Sequence, residues 1–140
     1  MIAYQVNLDY ERQTGEDNPG RVKESYLVEA ALPSEAETIV LKEVAPFIFG
    51  DCQVQKIQKR QFFDVFPSDK PADLWFEAKV EMITVDGDRE TRKAVNFLRQ
   101  ANTISEAVKV LKFDLMDYDC EIISIKKSLI LDVFKPEEAA

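Results

Sequence analysis

The sequence predicts an α+β fold in which a strand-strand-helix-strand unit occurs twice. The two copies are expected to pack as one domain with an antiparallel sheet and a pseudo-two-fold axis. The segment CQVQKIQKRQFFDVF (52–66) is echoed by CEIISIKKSLILDVF (120–134), and both end on Asp-Val-Phe. Two further pairs of segments match in the same order, YQVNLDY with FEAKVEM and SYLVEAALPSEA with NFLRQANTISEA. Three matches at nearly constant separation indicate an internal duplication, with copies at 1–66 and 75–136 and a connector at 67–74.

The composition is that of a globular chain. It has 140 residues, of which 46% are hydrophobic and 31% charged, enough for one domain or two small halves. No apolar run reaches the ~20 residues that span a bilayer, and MIAYQVNLDYE lacks the features of a signal peptide. We therefore expect a cytoplasmic protein without a membrane partner. The net charge of −8 argues against nucleic acid as a partner, because such binding depends on neutralising phosphates.

Alternation of apolar and polar residues marks the first strand of each copy. Tyr4, Val6, Leu8 and Tyr10 fall on one side of an extended chain, which is the pattern of a strand with one buried face. Polar connections, ERQTGEDNPGRVK and TVDGDRETRK, follow these strands. Their turn-forming residues, Gly15, Asn18-Pro19-Gly20 and Asp86-Gly87, predict a hairpin at each connection.

Each copy then contains one amphipathic helix. In the second copy Thr103-Ile104-Ser105-Glu106 fits a capping box, in which the threonine and the glutamate cover free backbone amides. In the first copy Pro33 suits the first helical position, but Leu32 is a poor cap. Pro46 is expected to kink or end this helix, and Gly50 is expected to cap its C-terminal end.

The third strand of each copy is predicted to begin at its cysteine, Cys52 or Cys120. Val54 and Ile57 are separated by an odd number of positions, as are their counterparts in the second copy. One face of a strand cannot hold both residues, so either both faces are buried or a bulge intervenes.

The repeated Asp-Val-Phe is interpreted as the structural end of the third strand. Its Val and Phe would close the core, while Asp64 and Asp132 would finish the strand or cap a turn. The alternative is that the two carboxylates meet at the axis, where they would share a proton or hold a hard cation. Nothing in the sequence pattern brings further oxygen ligands to these two aspartates, which favours the structural interpretation.

The sequence contains no recognisable catalytic site. Histidine is absent, and the four glycines are scattered rather than arranged in a phosphate-binding loop. Two isolated cysteines are too few for a four-thiolate zinc site, so Cys52 and Cys120 are expected to be free, buried thiols. We therefore predict no catalytic residues, no metal and no cofactor.

Clustered basic residues are the candidates for ligand binding. The predicted ligand-binding residues are Lys56, Lys59, Arg60, Lys126, Lys127, Arg92 and Trp75. Lys59 and Lys127 are matched copies and are expected to face one shared anion site if the third strands approach the axis. The alternative is an ordinary polar strand face balanced by neighbouring acids. An exposed Trp75 would form a stacking platform or a self-association patch.

The order YLVEA, SEAE, VQKIQK, DVFPSD, ADLWFEAKVEMITVD and SIKKSLILDVF resembles an uncharacterised family of small proteins. That family is carried as a domain of unknown function and occurs in gut-type bacteria, their mobile elements and their phages. The resemblance covers almost the whole chain and departs from the family pattern at Leu32, where Ser or Thr is usual. It brings no activity, and it implies a compact, phage-associated protein that acts by binding.

Three functions remain as hypotheses. The first is a non-catalytic, homo-oligomeric protein that captures a small anionic ligand such as a signalling nucleotide. The second is an acidic inhibitor of a basic host protein, which predicts salt-sensitive association. The third is a carboxylate- or metal-dependent enzyme, which predicts a bound divalent ion.

Overall fold

The computed structural model of the protein describes residues 2–12 and 20–135. Within them the chain forms β1 (Ile2–Arg12), β2 (Gly20–Glu29), α1 (Pro33–Val44), a 3₁₀ turn (Ala45–Phe47), β3 (Ile48–Gln61), β4 (Asp64–Phe66), β5 (Leu74–Asp86), β6 (Arg89–Ala101), α2 (Ile104–Asp114), β7 (Cys120–Lys127) and β8 (Ile130–Phe134). The predicted α+β class is confirmed, with strands predominating. The chain divides into a first unit, residues 1–61 with 129–140, and a second unit, residues 62–128. No helix among the described residues is long and apolar enough to cross a bilayer.

The first unit contains a four-stranded sheet in the order β3-β1-β2-β8. The predicted alternation of β1 is confirmed from Tyr4 to Tyr10, because the even-numbered residues of this stretch enter the core together with Tyr26 and Val28 of β2 and one face of α1. This core contains Tyr4, Val6, Leu8, Tyr10, Tyr26, Val28, Ala30, Ala36, Val40 and Val44. α1 therefore covers one face of the sheet.

The second unit has a sheet in the order β4-β6-β5-β7, which matches the first sheet strand for strand when read in reverse. Its core is formed in the same manner by β5, β6 and one face of α2. The buried residues are Phe76, Ala78, Val80, Phe97, Ala101, Ala107, Leu111 and Leu115. The hairpin predicted at Gly87 is confirmed, since Asp86 pairs with Arg89 around a two-residue turn. Gly87 has φ +63° in this turn, a conformation that glycine adopts without steric cost.

A bulge resolves the odd spacing in the third strands. Lys56 lies opposite Asn7 and Val54 lies opposite Leu8, so Gln55 is an extra residue in β3. β7 has the same irregularity between Ser124 and Ile122. Of the two predicted alternatives, the structure confirms the bulge, and it places both Val54 and Ile57 against the core.

The Asp-Val-Phe segments correct the predicted ends of the third strands. They form separate short strands, β4 and β8, which pair in parallel with β6 and β2. Each sheet is therefore mixed rather than purely antiparallel. The chain leaves β3 and β7 because Phe62-Phe63 and Ser128-Leu129 interrupt the strand. Consequently β4 belongs to the second unit and β8 to the first, whereas the sequence places them at the ends of continuous copies.

The helix ends agree with the predictions at Leu32, at Pro46 and in the threonine half of the capping box, but not at Gly50. Leu32 occupies the N-cap of α1 without a side-chain hydrogen bond, whereas the Thr103 hydroxyl accepts one from the Glu106 amide of α2. α1 ends at Val44, immediately before the 3₁₀ turn that contains Pro46. Gly50 is not a helix cap, because this turn leads into β3 at Ile48, ahead of the predicted start.

Gly50 lies inside β3 with φ +84°, where the pairing with β1 is irregular between Tyr10 and Arg12. A Cβ at this position would approach a Glu11 side-chain oxygen to 3.0 Å. The glycine therefore serves a strand irregularity rather than a helix end. The predicted turn residues Gly15 and Asn18-Pro19 lie outside the described residues.

Candidate functional site

The structure separates the basic residues predicted on the third strand. Lys59 lies opposite Tyr4 on the helix-covered side of the sheet, whereas Lys56 and Arg60 lie on the other side. Arg60 donates a hydrogen bond of 2.7 Å to the Gln5 side chain. The three residues therefore do not form a single cluster, because side chains of a strand alternate between its faces.

The same alternation divides the basic pair of β7. Lys127 lies opposite Phe76, and Lys126 lies opposite Glu77. Lys59 and Lys127 thus occupy corresponding register positions, one in each unit. Their meeting at one shared anion site stays a prediction.

Arg92 is surrounded by acidic side chains. Its guanidinium lies 2.9 Å from Glu121, 3.2 Å from Glu81 and 3.7 Å from Glu90. Hydrogen bonds to Glu81 and Glu121 raise the pKa of Arg92, so it stays positively charged. Because three carboxylates already share this charge, Arg92 is poorly suited to hold an anionic ligand directly.

Trp75 does not form an exposed platform. Its side chain is only 4% exposed, and its carbonyl accepts the Ser128 amide hydrogen at 2.8 Å. The indole nitrogen is buried and has no hydrogen-bond partner among the described residues. The candidate role of Trp75 as an exposed platform is therefore wrong, because Trp75 occupies the buried second position of β5, whereas the first residue, Leu74, is 40% exposed.

The second unit contains an open groove between the C-terminal end of α2 and the start of β7. Its volume is about 380 Å³. The lining residues are Lys112, Leu115, Met116, Tyr118, Cys120, Glu121 and Ile122. α2 contributes the lysine, the segment between helix and strand contributes Met116 and Tyr118, and β7 contributes the floor. Sequence reasoning missed the groove because its lining residues become neighbours only when α2 packs on the sheet.

The groove combines one available cation with apolar walls. Lys112 is exposed and has no ion pair among the described residues, whereas Glu121 is bound by Arg92. Burial, and secondarily Asp119, raises the pKa of the Cys120 thiol, so no thiolate opposes an anion there at neutral pH. Tyr118 stands edge-on to Phe63 with ring centroids 6.0 Å apart. This arrangement suits a small anion that also carries a flat apolar group.

The first unit contains a polar cluster around Glu24. The hydroxyls of Tyr10 and Tyr26 donate to Glu24 Oε1, and Arg12 donates to Oε2 at 2.9 Å. The Arg12 guanidinium lies 4.9 Å from the centre of the Phe47 ring. Glu24 could have been detected in the sequence, because it shares the strand face of Tyr26 and Val28. Its oxygens already accept hydrogen bonds from protein donors, which indicates a structural role.

The aspartates of the two Asp-Val-Phe segments are placed in different units. In each segment the Asp Oδ1 accepts the amide hydrogen of the next valine at 2.8 Å, as expected of a residue that shapes a turn. Burial raises the pKa of Asp114; Arg99, 3.3 Å away, opposes this, and Asp64 adds to it. No group of three or more potential metal ligands occurs among the described residues.

Both cysteines are free and half-buried. Burial, and secondarily Asp9, raises the pKa of Cys52, as burial and Asp119 do for Cys120. Thiols of this kind are protonated near neutral pH and react slowly. Only Cys120 lines the groove, so the two thiols form a matched pair of reporters.

Comparison with known proteins gives a family but no activity. A family model described as "Domain of unknown function (DUF4494)" matches residues 3–137. No curated protein matches the chain.

Proposed function

The chain belongs to the family described as Domain of unknown function (DUF4494), and from this premise we propose that it is a non-catalytic binding protein for a small anionic ligand. A signalling nucleotide is the ligand class that combines a compact negative charge with a flat ring. The groove of the second unit is the binding site in this proposal. Lys112 would hold the charged group, and Tyr118 with Met116 would contact the ring.

One observation carries the proposal. Lys112 projects beside an aromatic ring and an apolar floor, while the acidic Glu121 of the same groove is held by Arg92. Ligand sites are typically concave, largely apolar and supplied with a few polar groups that fix orientation. In this view Arg92 is a positioning residue that draws Glu121 away from the ligand.

The lysines of the third strands give a weaker argument for the same function. Lys56, Lys59, Lys126 and Lys127 are exposed and make no ion pair among the described residues. However, β3 and β7 are edge strands, and lysines on edge strands commonly prevent association with other strands. The groove is preferred because it offers a concave, partly apolar surface in addition to charge.

Native mass spectrometry of freshly purified protein tests for a captured ligand. We expect a releasable mass of nucleotide size that disappears on denaturation. The alkylation rate of Cys120 then locates the site. It is measured with and without cyclic mono- and dinucleotides as probes, and the alkylation rate of Cys52 serves as the control. Protection of Cys120 alone supports the proposal, whereas no released mass and no protection by any probe would contradict it.

Charge-reversal variants distinguish the two candidate binding sites, the groove and the lysines of the third strands. Lys112→Glu should abolish binding, while Lys109→Glu, on the same helix but outside the groove, should retain it. Tyr118→Ala should weaken binding roughly 5- to 100-fold, the usual range for the loss of one stacking partner. If Lys59→Glu with Lys127→Glu abolishes binding and Lys112→Glu does not, the site lies on the third strands instead.

A protein partner is the second candidate, and an exposed apolar pair favours it. Phe113 is 72% exposed and Met116 68% exposed at the end of α2, in a chain of net charge −8. Such a patch with acidic surroundings suits a basic host protein. The double variant Phe113→Ser with Met116→Ser should then abolish a salt-sensitive pull-down. Retention of the same partner would contradict this candidate.

The proposal includes an internal duplication as the origin of the two units. Supporting it, Tyr10 pairs with Cys52 and Met82 pairs with Cys120 at corresponding places in the two sheets. The bacterial or phage origin implied by the sequence resemblance is retained as part of the proposal. Cross-strand NMR contacts that placed the two cysteines at different register positions would contradict the duplication.

A further inference from the structure

Each sheet is completed by a short parallel strand that follows a strand of the other unit in the chain. β4 follows β3 of the first unit and pairs with β6, while β8 follows β7 of the second unit and pairs with β2. The edges of β2 and β6 therefore act as acceptors for donated strands. None of these four strands, β2, β4, β6 and β8, lines the groove proposed as the ligand site.

The two donor strands are recognised in the same way. Asp132, Val133 and Phe134 lie opposite Tyr26, Leu27 and Val28, and Asp64, Val65 and Phe66 lie opposite Phe97, Leu98 and Arg99. Phe134 stacks on Tyr26 with centroids 5.2 Å apart, and Phe66 stacks on Phe97 at 5.9 Å. In both sheets the Asp-Val-Phe segment is thus held by backbone pairing and one aromatic contact.

The connection to β8 is short, and its second residue is exposed. Only Ser128 and Leu129 separate β7 from β8. The Ser128 amide is held by the Trp75 carbonyl at 2.8 Å, and Leu129 is 80% exposed. Within the described residues, β8 is connected through the chain to another strand only at its N-terminal end. β4, in contrast, is connected to β3 at one end and to β5 at the other.

We propose that β8 is an exchangeable donor strand and that the β2 edge of one copy accepts β8 of a second copy of this chain. The partner's β8 has the same sequence, so it would make the same backbone pairs and the same stacking contact. Exchange of an identical element therefore loses no contact of the strand itself, which makes it a low-cost route to a dimer. The product is a homodimer in which two chains trade their β8 strands.

Cross-linking between β2 and β8 tests the exchange in the full-length chain. Ser25→Cys and Ile130→Cys place thiols at paired positions, and Cys52→Ser with Cys120→Ser removes the native thiols. The protein is refolded at several concentrations and treated with a short bifunctional thiol reagent. We expect a shift from internally linked monomer to covalent dimer as the protein concentration rises.

The matched control uses the hairpin of β1 and β2. Asn7→Cys with Ser25→Cys lies across an adjacent pair of strands in the same unit and should give internal links at every concentration. Dimers from both pairs would indicate aggregation and overturn the proposal, as would internal links alone from the 25/130 pair.

A second measurement avoids the substitutions at two buried positions. Unaltered chains with and without ¹⁵N label are refolded together and analysed by native mass spectrometry. A dimer of intermediate mass shows that copies associate on refolding, as the exchange requires, and the cross-link between positions 25 and 130 then identifies β8 as the shared strand. A strictly monomeric mixture at high concentration overturns it.

Discussion

Glu24 is the residue on which three donors of the first unit converge. Its side chain is 9% exposed and accepts hydrogen bonds from Tyr10, Tyr26 and Arg12. Glu24→Ala should lower the free energy of unfolding by about 2–4 kcal/mol, because the arginine and both hydroxyls lose their acceptor. Urea unfolding measures this loss.

The exposed Glu43 of α1 provides the control for Glu24. Glu43→Gln should change the free energy of unfolding by less than about 0.5 kcal/mol, as is usual for surface substitutions. Equal effects of the two variants would show that the Glu24 hydrogen bonds add nothing beyond an ordinary surface charge.

The same cluster predicts a loss of stability at alkaline pH. Burial, and then the hydrogen bond to Glu24, raises the pKa of Tyr10 to about 12. Burial also raises the pKa of Tyr26. A tyrosine in the unfolded chain ionises at about pH 10. The free energy of folding gained from keeping Tyr10 protonated is therefore fully present below that pH and is lost as the pH rises through about 12.

Tyr10→Phe isolates this contribution from the lysines that ionise in the same range. Urea unfolding of both proteins across this pH range should show a smaller decline for the variant, since it has one ionisable phenol fewer. Identical slopes would mean that the ionisation of Tyr10 is not linked to folding.

The two helices differ at one capping position, which makes them an internal comparison. Leu32 and Thr103 have similar extended conformations, with φ −130° and −134°, but only Thr103 accepts an amide hydrogen bond. Thr103→Ala should cost about 1 kcal/mol, and Leu32→Thr should gain a similar amount. Thermal and urea unfolding give both values.

Leu32→Ala serves as the control at this position, because alanine removes the exposed leucine without providing a cap. It should leave the stability almost unchanged. A gain from alanine equal to that from threonine would attribute the effect to the lost leucine instead.

Elements with a repeating pattern were predictable from the sequence, and short non-local ones were not. The strand β1 was predicted from the alternation of Tyr4, Val6, Leu8 and Tyr10 with polar residues, and the start of α2 was predicted from the cap at Thr103. Asp-Val-Phe was misassigned because three residues are too few to show a period, and because their parallel partners lie far away in the chain. The groove was not predicted either, because Lys112 and Cys120 become neighbours only through the packing of α2.

The two units share a framework but differ in chemistry at matching positions. The polar cluster Tyr10, Glu24 and Tyr26 of the first unit is replaced by Met82, Val95 and Phe97 in the second. The second unit instead carries an ion pair between Arg99 and Asp114, and Arg99 also lies 5.9 Å from the Phe66 ring. Each unit therefore has its own polar contact on a common framework, the Glu24 cluster in the first and the Arg99–Asp114 pair in the second.

The short parallel strands β4 and β8 are expected to stabilise the sheet that each completes. Phe134→Ala removes the ring that stacks on Tyr26 of β2, and Phe66→Ala removes the one that stacks on Phe97 of β6. Each should destabilise by about 1–3 kcal/mol, less than a fully buried phenylalanine, because both rings are only partly buried. Hydrogen exchange followed by mass spectrometry should show the largest increase in β2 for Phe134→Ala and in β6 for Phe66→Ala. The opposite assignment would contradict the observed pairing, since each donor strand protects the amides of the acceptor beside it.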